Sequence, residues 1–460
     1  MFDDMGAVLA MLLFLTAFVV LLSGFPVAFA LGGTAVIFAF LGMLSGDFVW
    51  GMMSSVAGRM IDLMTNETLV AVPLFVFMGV VLERSQIAED LLITMGQAFG
   101  KMPGGLGISV ILVGGLLAAS TGVVGATVLA MGLISLPAMI RANYNKSLAS
   151  GIICASGTMA QLIPPSTVLI MLGIMLQNAN TQANLKMGRF DTSIVTITDL
   201  FAAALLPGVI LMVMYILYVM LRAFLKPSDC PALVMTAEER ETLLPRILAA
   251  VVPPVTLILM VLGSILTGIA TATESAAVGA IGACLLAVFK RRFALSTIWD
   301  VSKKSLVISN MIFAILIGAT LFSMVFRGLG GEEVIEEIVS DLPGGVIGAT
   351  IFVLLLMFLL GFLIDTFEII FIVVPIFAPI LIIMGMDPIW LGIAMAIVLQ
   401  TSYLTPPFGF AIFYLQGVAR GLKGTTIYRG VIPFVIIQIL AIAVIWVFPR
   451  LATWLPEVLF

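Results

Sequence analysis

The sequence predicts an all-α integral membrane protein built as two inverted repeats, with about ten spanning segments, two re-entrant helical hairpins and two broken helices. Three observations predict it: composition, a duplicated proline–glycine pattern, and the placement of the charges. Of 460 residues, 62% are hydrophobic and 10% charged, with a mean hydropathy of +1.25. So few charged groups cannot cover a soluble domain of this size, and lipid is the solvent for most of its outside.

The elements follow in order. Asp3 and Asp4 stand where a signal peptide carries positive charge, and the apolar run Met5–Leu22 leads directly into another. Residues 1–23 therefore read as a retained span and not as a cleavable signal. Further runs long enough to span occupy 24–44, 68–82, 147–177, 200–225, 247–268, 272–289, 305–326, 388–419 and 431–449, with double runs within 104–140 and 345–384. Gly51–Asn66 is too short and polar to cross and is expected along the interface, while 178–199 and 226–246 are the longest polar interruptions.

The chain repeats itself. Pro103-Gly104-Gly105 precedes a double apolar run and then Pro164-Pro165, while Pro343-Gly344-Gly345 precedes another and then Pro406-Pro407. From first proline to proline pair the spacings are 61 and 63 residues, and Phe25–Phe40 corresponds to Thr273–Phe289 at the front of each unit. The divisions are an N-terminal span (1–23), repeat 1 (24–177, hairpin 104–140, broken helix 147–177) and connecting spans (178–270). Repeat 2 (271–419, hairpin 345–384, broken helix 388–419) and a C-terminal span (420–460) complete the chain.

Charges give the orientation. The first double run is bracketed by Lys101, Arg141 and Lys146, the second by Glu336, Glu337, Asp341 and Asp387. Short loops rich in Lys and Arg stay cytoplasmic. With both termini outside, ten spans and two re-entrant hairpins, 16 of the 21 Lys and Arg fall inside; Arg59, Lys186, Arg189, Arg327 and Arg450 fall outside. The repeats are then antiparallel in the membrane, an arrangement found in alternating-access transporters.

The proline pairs interrupt runs long enough to span. Two consecutive prolines remove two donors, so the helix unwinds, and the freed carbonyls of 158–163 and 400–405 need a partner. A cation is one; Ser, Thr or water bridging a simple kink is the other. The hairpin tips, Ala119–Thr127 and Gly361–Glu368, carry small and hydroxyl residues suited to a tight turn, and helix N-termini there favour anions. Asp365 and Glu368 are the main acidic residues expected at membrane depth; Asp365 either caps the second arm or does ion or proton work. Thr271-x-x-Glu274 has the form of a capping box. Thr320 and Ser323 read as packed polar residues between helices, and no Arg or Lys is placed at membrane depth.

Other chemistry is poorly provided for. The chain has no His, and Cys154, Cys230 and Cys284 are far apart, without zinc or haem spacing. There is no P-loop, no resident cofactor is expected, and no basic concentration points to nucleic acid. An enzyme would have only Asp365 and Glu368 to work with, and paired breaks fit closed binding sites better than a continuous channel.

Gly24-Phe-Pro-Val-Ala-Phe-Ala-Leu, Thr121-Gly122 with Ala126-Thr127, Leu162-Ile-Pro-Pro-Ser166, Thr273-Glu-Ser-Ala-Ala277, Leu363-Ile-Asp-Thr366 and Leu404-Thr-Pro-Pro-Phe-Gly409 stand in this order. Together they resemble the large membrane (M) subunit of tripartite ATP-independent periplasmic (TRAP) transporters, over essentially the whole chain. The resemblance implies an elevator-type ion-transporter fold, Na⁺ as coupling ion and a bacterial inner-membrane location. It also implies a small four-helix membrane subunit and a periplasmic substrate-binding protein that delivers a carboxylate. A self-sufficient one-component symporter or antiporter of the same fold is the alternative.

Carried over by motif position, the implied sodium ligands are Ala119, Thr121, Ala160, Ile163 and Ser166 at the first tip and break, and Gly361, Ser402, Thr405 and Phe408 at the second. Many would bind through main-chain carbonyls. Where many family members carry Ser-Gly-Ser-Ser, Thr121-Gly122-Val123-Val124 has two fewer hydroxyls. The organic acid is expected between the two tips, held by helix N-termini and the hydroxyls of Ser120, Thr121, Thr158, Thr366 and Thr405.

Overall fold

A computed structural model describes residues 5–85, 87–100, 102–189, 195–232, 243–290, 295–419 and 421–460, without the side chains of 88, 120, 121 and 295. The acidic N-terminal pair, Lys101 and Arg420 lie outside the described residues. Secondary structure there is helical: α1 (Met5–Leu22), α2 (Val27–Ser45), α3 (Trp50–Thr65), α4 (Ala71–Arg84), α5 (Ile87–Ala98), α6 (Gly105–Thr121), α7 (Val124–Arg141), α8 (Lys146–Thr158), α9 (Thr167–Lys186) and α10 (Ile197–Leu225). Then come α11 (Leu243–Leu266), α12 (Ala272–Phe289), α13 (Leu295–Gly328), α14 (Gly331–Ser340), α15 (Gly345–Leu360), α16 (Thr366–Ile383), α17 (Pro388–Leu404), α18 (Phe410–Val418), α19 (Gly424–Val447) and α20 (Arg450–Leu459). Among the described residues nine helices are long and apolar enough to cross a membrane, or up to eleven if two bent pairs each count as one span.

Both hairpins begin alike. Gly104 (φ 83°) caps α6 and Gly344 (φ 95°) caps α15, each in the left-handed region that glycine enters freely. Both proline pairs, Pro164-Pro165 and Pro406-Pro407, are cis. One expectation needs correction: the polar stretch from 178 is not wholly an interruption, since α9 continues to Lys186. Its amides support the helix, with Asn184 donating to Asn180 at 3.3 Å one turn away.

Chain segments form two compact units, each drawing on both halves of the sequence. The first holds α1–α3, most of α9, α13 from Val307, and α14–α16. Its α3 has no fully buried residue, whereas 83% of the apolar window of α16 is buried. An all-round apolar helix of that burial is enclosed by protein and not by lipid. Helices α2 and α13 cross at small residues: the Ala28 carbonyl oxygen lies 2.5 Å from where a Cβ on Gly318 would be.

In the second unit α8 is central, packing on α6, α7 and α19. A Cβ on Gly151 would meet the Gly430 carbonyl at 2.0 Å, so the backbones of α8 and α19 touch. A loop clamp closes the base of the first hairpin. Gly104 N–H donates to the Cys230 carbonyl and Asn145 N–H to the Asp229 carbonyl, both at 2.8 Å, and Arg222 pairs with the Asp229 carboxylate. Burial there pushes the Cys230 thiol above its usual range. Ion pairs Lys290–Asp90 (2.7 Å) and Lys304–Glu83 (2.8 Å) tie α12 to α5 and α13 to α4.

Candidate cation and substrate sites

Proline chemistry builds the first break. Asn145 starts α8 by accepting from Ser147 N–H (2.9 Å) and Leu148 N–H (3.4 Å). The helix ends at Thr158, passes through a 3₁₀ turn at Met159–Gln161, and restarts as α9 at Thr167. Residues four on from Ala160 and Gln161 are Pro164 and Pro165, so neither carbonyl has its helical donor. Ser166 Oγ donates to the Gln161 carbonyl at 3.3 Å. Ala160, Thr158 and Ser166 are wholly buried, and Ile163 is half-buried.

The first hairpin tip sits on this break. Gly122 (φ 61°) ends α6, and its carbonyl accepts from Thr167 Oγ1 at 2.7 Å. A Cβ at Gly122 would lie 2.9 Å from Thr167 N, so only glycine lets the tip approach the restart of α9. Ala119, one turn before, is buried. The structure thus brings the first tip and first break together; the side chains of Ser120 and Thr121 lie outside the described ones. The Thr158 hydroxyl donates back to the Ala155 carbonyl at 2.9 Å, leaving its lone pairs as acceptors.

An offset of 242 residues relates Ala119 to Gly361, Ala160 to Ser402, Ile163 to Thr405 and Ser166 to Phe408. Gly361 and Thr366 belong to the first unit, the other three to the second, and each is described within its own. Pro406 and Pro407 deprive the Ser402 and Tyr403 carbonyls of their helical donors. Thr405 N–H turns back to the Ser402 carbonyl at 3.2 Å, and Thr405 Oγ1 to the Thr401 carbonyl at 2.7 Å. At Gly409 a Cβ would meet the Tyr403 carbonyl oxygen at 2.6 Å and that of Thr405 at 3.0 Å. Two carbonyls therefore converge on a residue with no side chain. Phe408 is 51% exposed and its side chain has no oxygen, so a contribution from it would be main-chain.

Gly361 ends α15 and is buried, and Thr366 opens α16 at 2% exposure. Asp365 is the N-cap of α16: its carboxylate accepts from Thr366 N–H and from the N–H of Glu368, whose own carboxylate accepts from Asp365 N–H at 3.2 Å. The capping box at Thr271 and Glu274 forms as expected, with bonds of 2.8 and 3.2 Å. Among the described residues no group of three His, Cys, Asp or Glu could hold a metal ion. Carbonyl and hydroxyl oxygens dominate both breaks, a donor set for an alkali cation.

Sequence reasoning left Arg327 outside the membrane without a role. In the structure its side chain is only 24% exposed, and Nη2 donates to the Pro375 carbonyl at 3.0 Å. That carbonyl lacks its helical donor because residue 379 is also proline. The Pro375-x-x-x-Pro379 spacing, which sequence reasoning passed over, marks an orphan acceptor; nothing in the sequence marks its donor, 48 residues away.

The model of the family "Tripartite ATP-independent periplasmic transporter, DctM component" matches residues 14–451. A C4-dicarboxylate TRAP transporter large permease of Pseudomonas aeruginosa is 29% identical, covering 88% of this chain and 89% of that one. The ectoine/5-hydroxyectoine large permease of Ruegeria pomeroyi is 27% identical over 98% of this chain and all of its own. The sialic acid large permease of Vibrio cholerae is 25% identical over 95% and 96%. The crystal structure of the YdaH transporter of Alcanivorax borkumensis matches with TM-score 0.63 at 13% identity, over 87% of both chains, a likeness of fold.

Proposed function

The chain belongs to the DctM component of the tripartite ATP-independent periplasmic transporters, and from that premise we propose that it translocates an organic acid into a bacterial cell in symport with Na⁺. It is a multi-pass transporter subunit, not an enzyme, and its family implies a small membrane subunit and a periplasmic binding protein as partners. Its termini are proposed to lie in the periplasm. The observation that carries the Na⁺ reading is the pair of proline breaks, where buried carbonyls lose their helical donors. Backbone oxygens at unwound helix ends suit Na⁺, while N-termini of half-helices suit a carboxylate.

The Na⁺ ligands proposed are Ala119, Thr121, Ala160, Ile163 and Ser166, and Gly361, Ser402, Thr405 and Phe408. The acid is held by Ser120, Thr121, Thr158, Thr366 and Thr405. A transport domain carrying hairpins and breaks moves against a scaffold, as in an elevator. The dicarboxylates, ectoine and sialic acid in the relatives' names all carry a carboxylate, which supports the substrate class.

Uptake into proteoliposomes tests this. With both partners present, uptake of one of succinate, ectoine or sialic acid is expected to follow an inward Na⁺ gradient. Equal uptake when K⁺ replaces Na⁺ would remove the coupling ion. Uptake by the chain alone would favour the one-component reading.

A further inference from the structure

The helix breaks carry no basic side chain, yet two guanidinium groups of the first unit surround one cavity. It has a volume of about 370 Å³ and is lined by Arg59 and Asp62 of α3, Asn178 of α9, Ser323 and Arg327 of α13 and Pro375 of α16, among others. Capping Pro375 does not exhaust Arg327. Of its five N–H groups, one meets that carbonyl and the Nε faces Glu332 at 3.6 Å. The remaining N–H groups have no acceptor among the described residues. Glu332 is itself engaged by Lys186 at 2.9 Å. Arg59 is exposed, makes no ion pair among the described residues, and repels Arg327. Asp62 in the lining offsets one of these two positive charges, and a bound anion would offset the other.

We propose that this cavity is a carboxylate station, in which Arg59 and Arg327 hold an organic acid before it reaches Thr366 at the second hairpin tip. Pro375 lies nine residues beyond Thr366 in the same helix, or about 14 Å along its axis at about 1.5 Å per residue. The station is therefore distinct from the substrate position proposed at Thr366. With Glu332 paired to Lys186 at 2.9 Å, the two guanidinium groups are set against one lining carboxylate, that of Asp62, so the site accommodates a single negative charge. Its preferred ligand is a monocarboxylate with hydroxyl or N–H donors, met by Asn178, Ser323 and Asp62. Planar guanidinium groups match a carboxylate with paired, charge-assisted hydrogen bonds.

The station rests on the reading of the chain as an importer of organic acids, but its test needs neither an ion gradient nor transport. The full chain with its small membrane subunit, in lipid nanodiscs, is treated with phenylglyoxal, and modification of Arg59 and Arg327 is followed by peptide mass spectrometry. Gluconate is expected to slow modification of both by about tenfold (a difference of ~1.4 kcal/mol) relative to chloride at equal ionic strength. Succinate is expected to protect less, and Asp62→Asn to close that gap. Arg59→Gln, at an exposed side chain, is expected to abolish protection of Arg327. No protection by gluconate overturns the station, even where Na⁺-driven uptake is intact. Protection by the binding protein without any carboxylate overturns it in favour of a docking surface. Equal protection by succinate and gluconate overturns the preference for a single charge.

Discussion

An ionised carboxylate enclosed in an apolar hairpin is costly unless donors face it. Asp365 meets that demand locally, because the first N–H groups of α16 have no helical acceptors and point at its side chain. Asp365→Asn keeps an acceptor and removes the charge. Na⁺-driven uptake and abundance of that variant are expected to stay near normal, while Asp365→Ala lowers stability by about 1 kcal/mol, read as a lower melting temperature. Lost uptake by an abundant, folded Asn variant would instead assign the charge to transport. This site was legible because Asp365-x-x-Glu368 and Thr271-x-x-Glu274 are complete within four residues. Arg327 was not, since its partners Pro375 and Glu332 come from other helices.

Among the elements, the breaks depend on space as much as on proline. Gly409 has φ −59°, open to any residue, so an added methyl is opposed by the Tyr403 and Thr405 carbonyls and not by backbone strain. Gly409→Ala is expected to displace those carbonyls and raise the Na⁺ concentration for half-maximal uptake by about tenfold, with abundance little changed. An unaltered Na⁺ dependence would take these two carbonyls out of the cation site. The positions of both breaks were readable from their proline pairs. That α9 runs on to Lys186 was not, because a polar stretch reads as loop until its amides are seen bonding along the helix.

At the scale of the whole molecule, the charge bias makes a prediction about sidedness. Single cysteines beside Arg141 or Lys146 are expected to resist an impermeant thiol reagent added outside, while those beside Asp341 or Asp387 react. Native Cys154 and Cys230 are buried and contribute little background; Cys284 is partly exposed and is best replaced first. Outside labelling at both sets would end the inverted arrangement of the repeats.

The sequence by itself determined where the apolar runs lie, where proline pairs interrupt them and that Thr271 and Glu274 form a capping box. Each of these follows from hydropathy, missing N–H groups or short spacings, all local along the chain. Only the tertiary structure decided that Gly122 rests on Thr167, that α16 is enclosed by protein, and that Arg327 caps Pro375 beside a second guanidinium group. Those outcomes depend on which helix faces lie against each other, and an apolar helix surrounded by lipid reads much like one surrounded by protein.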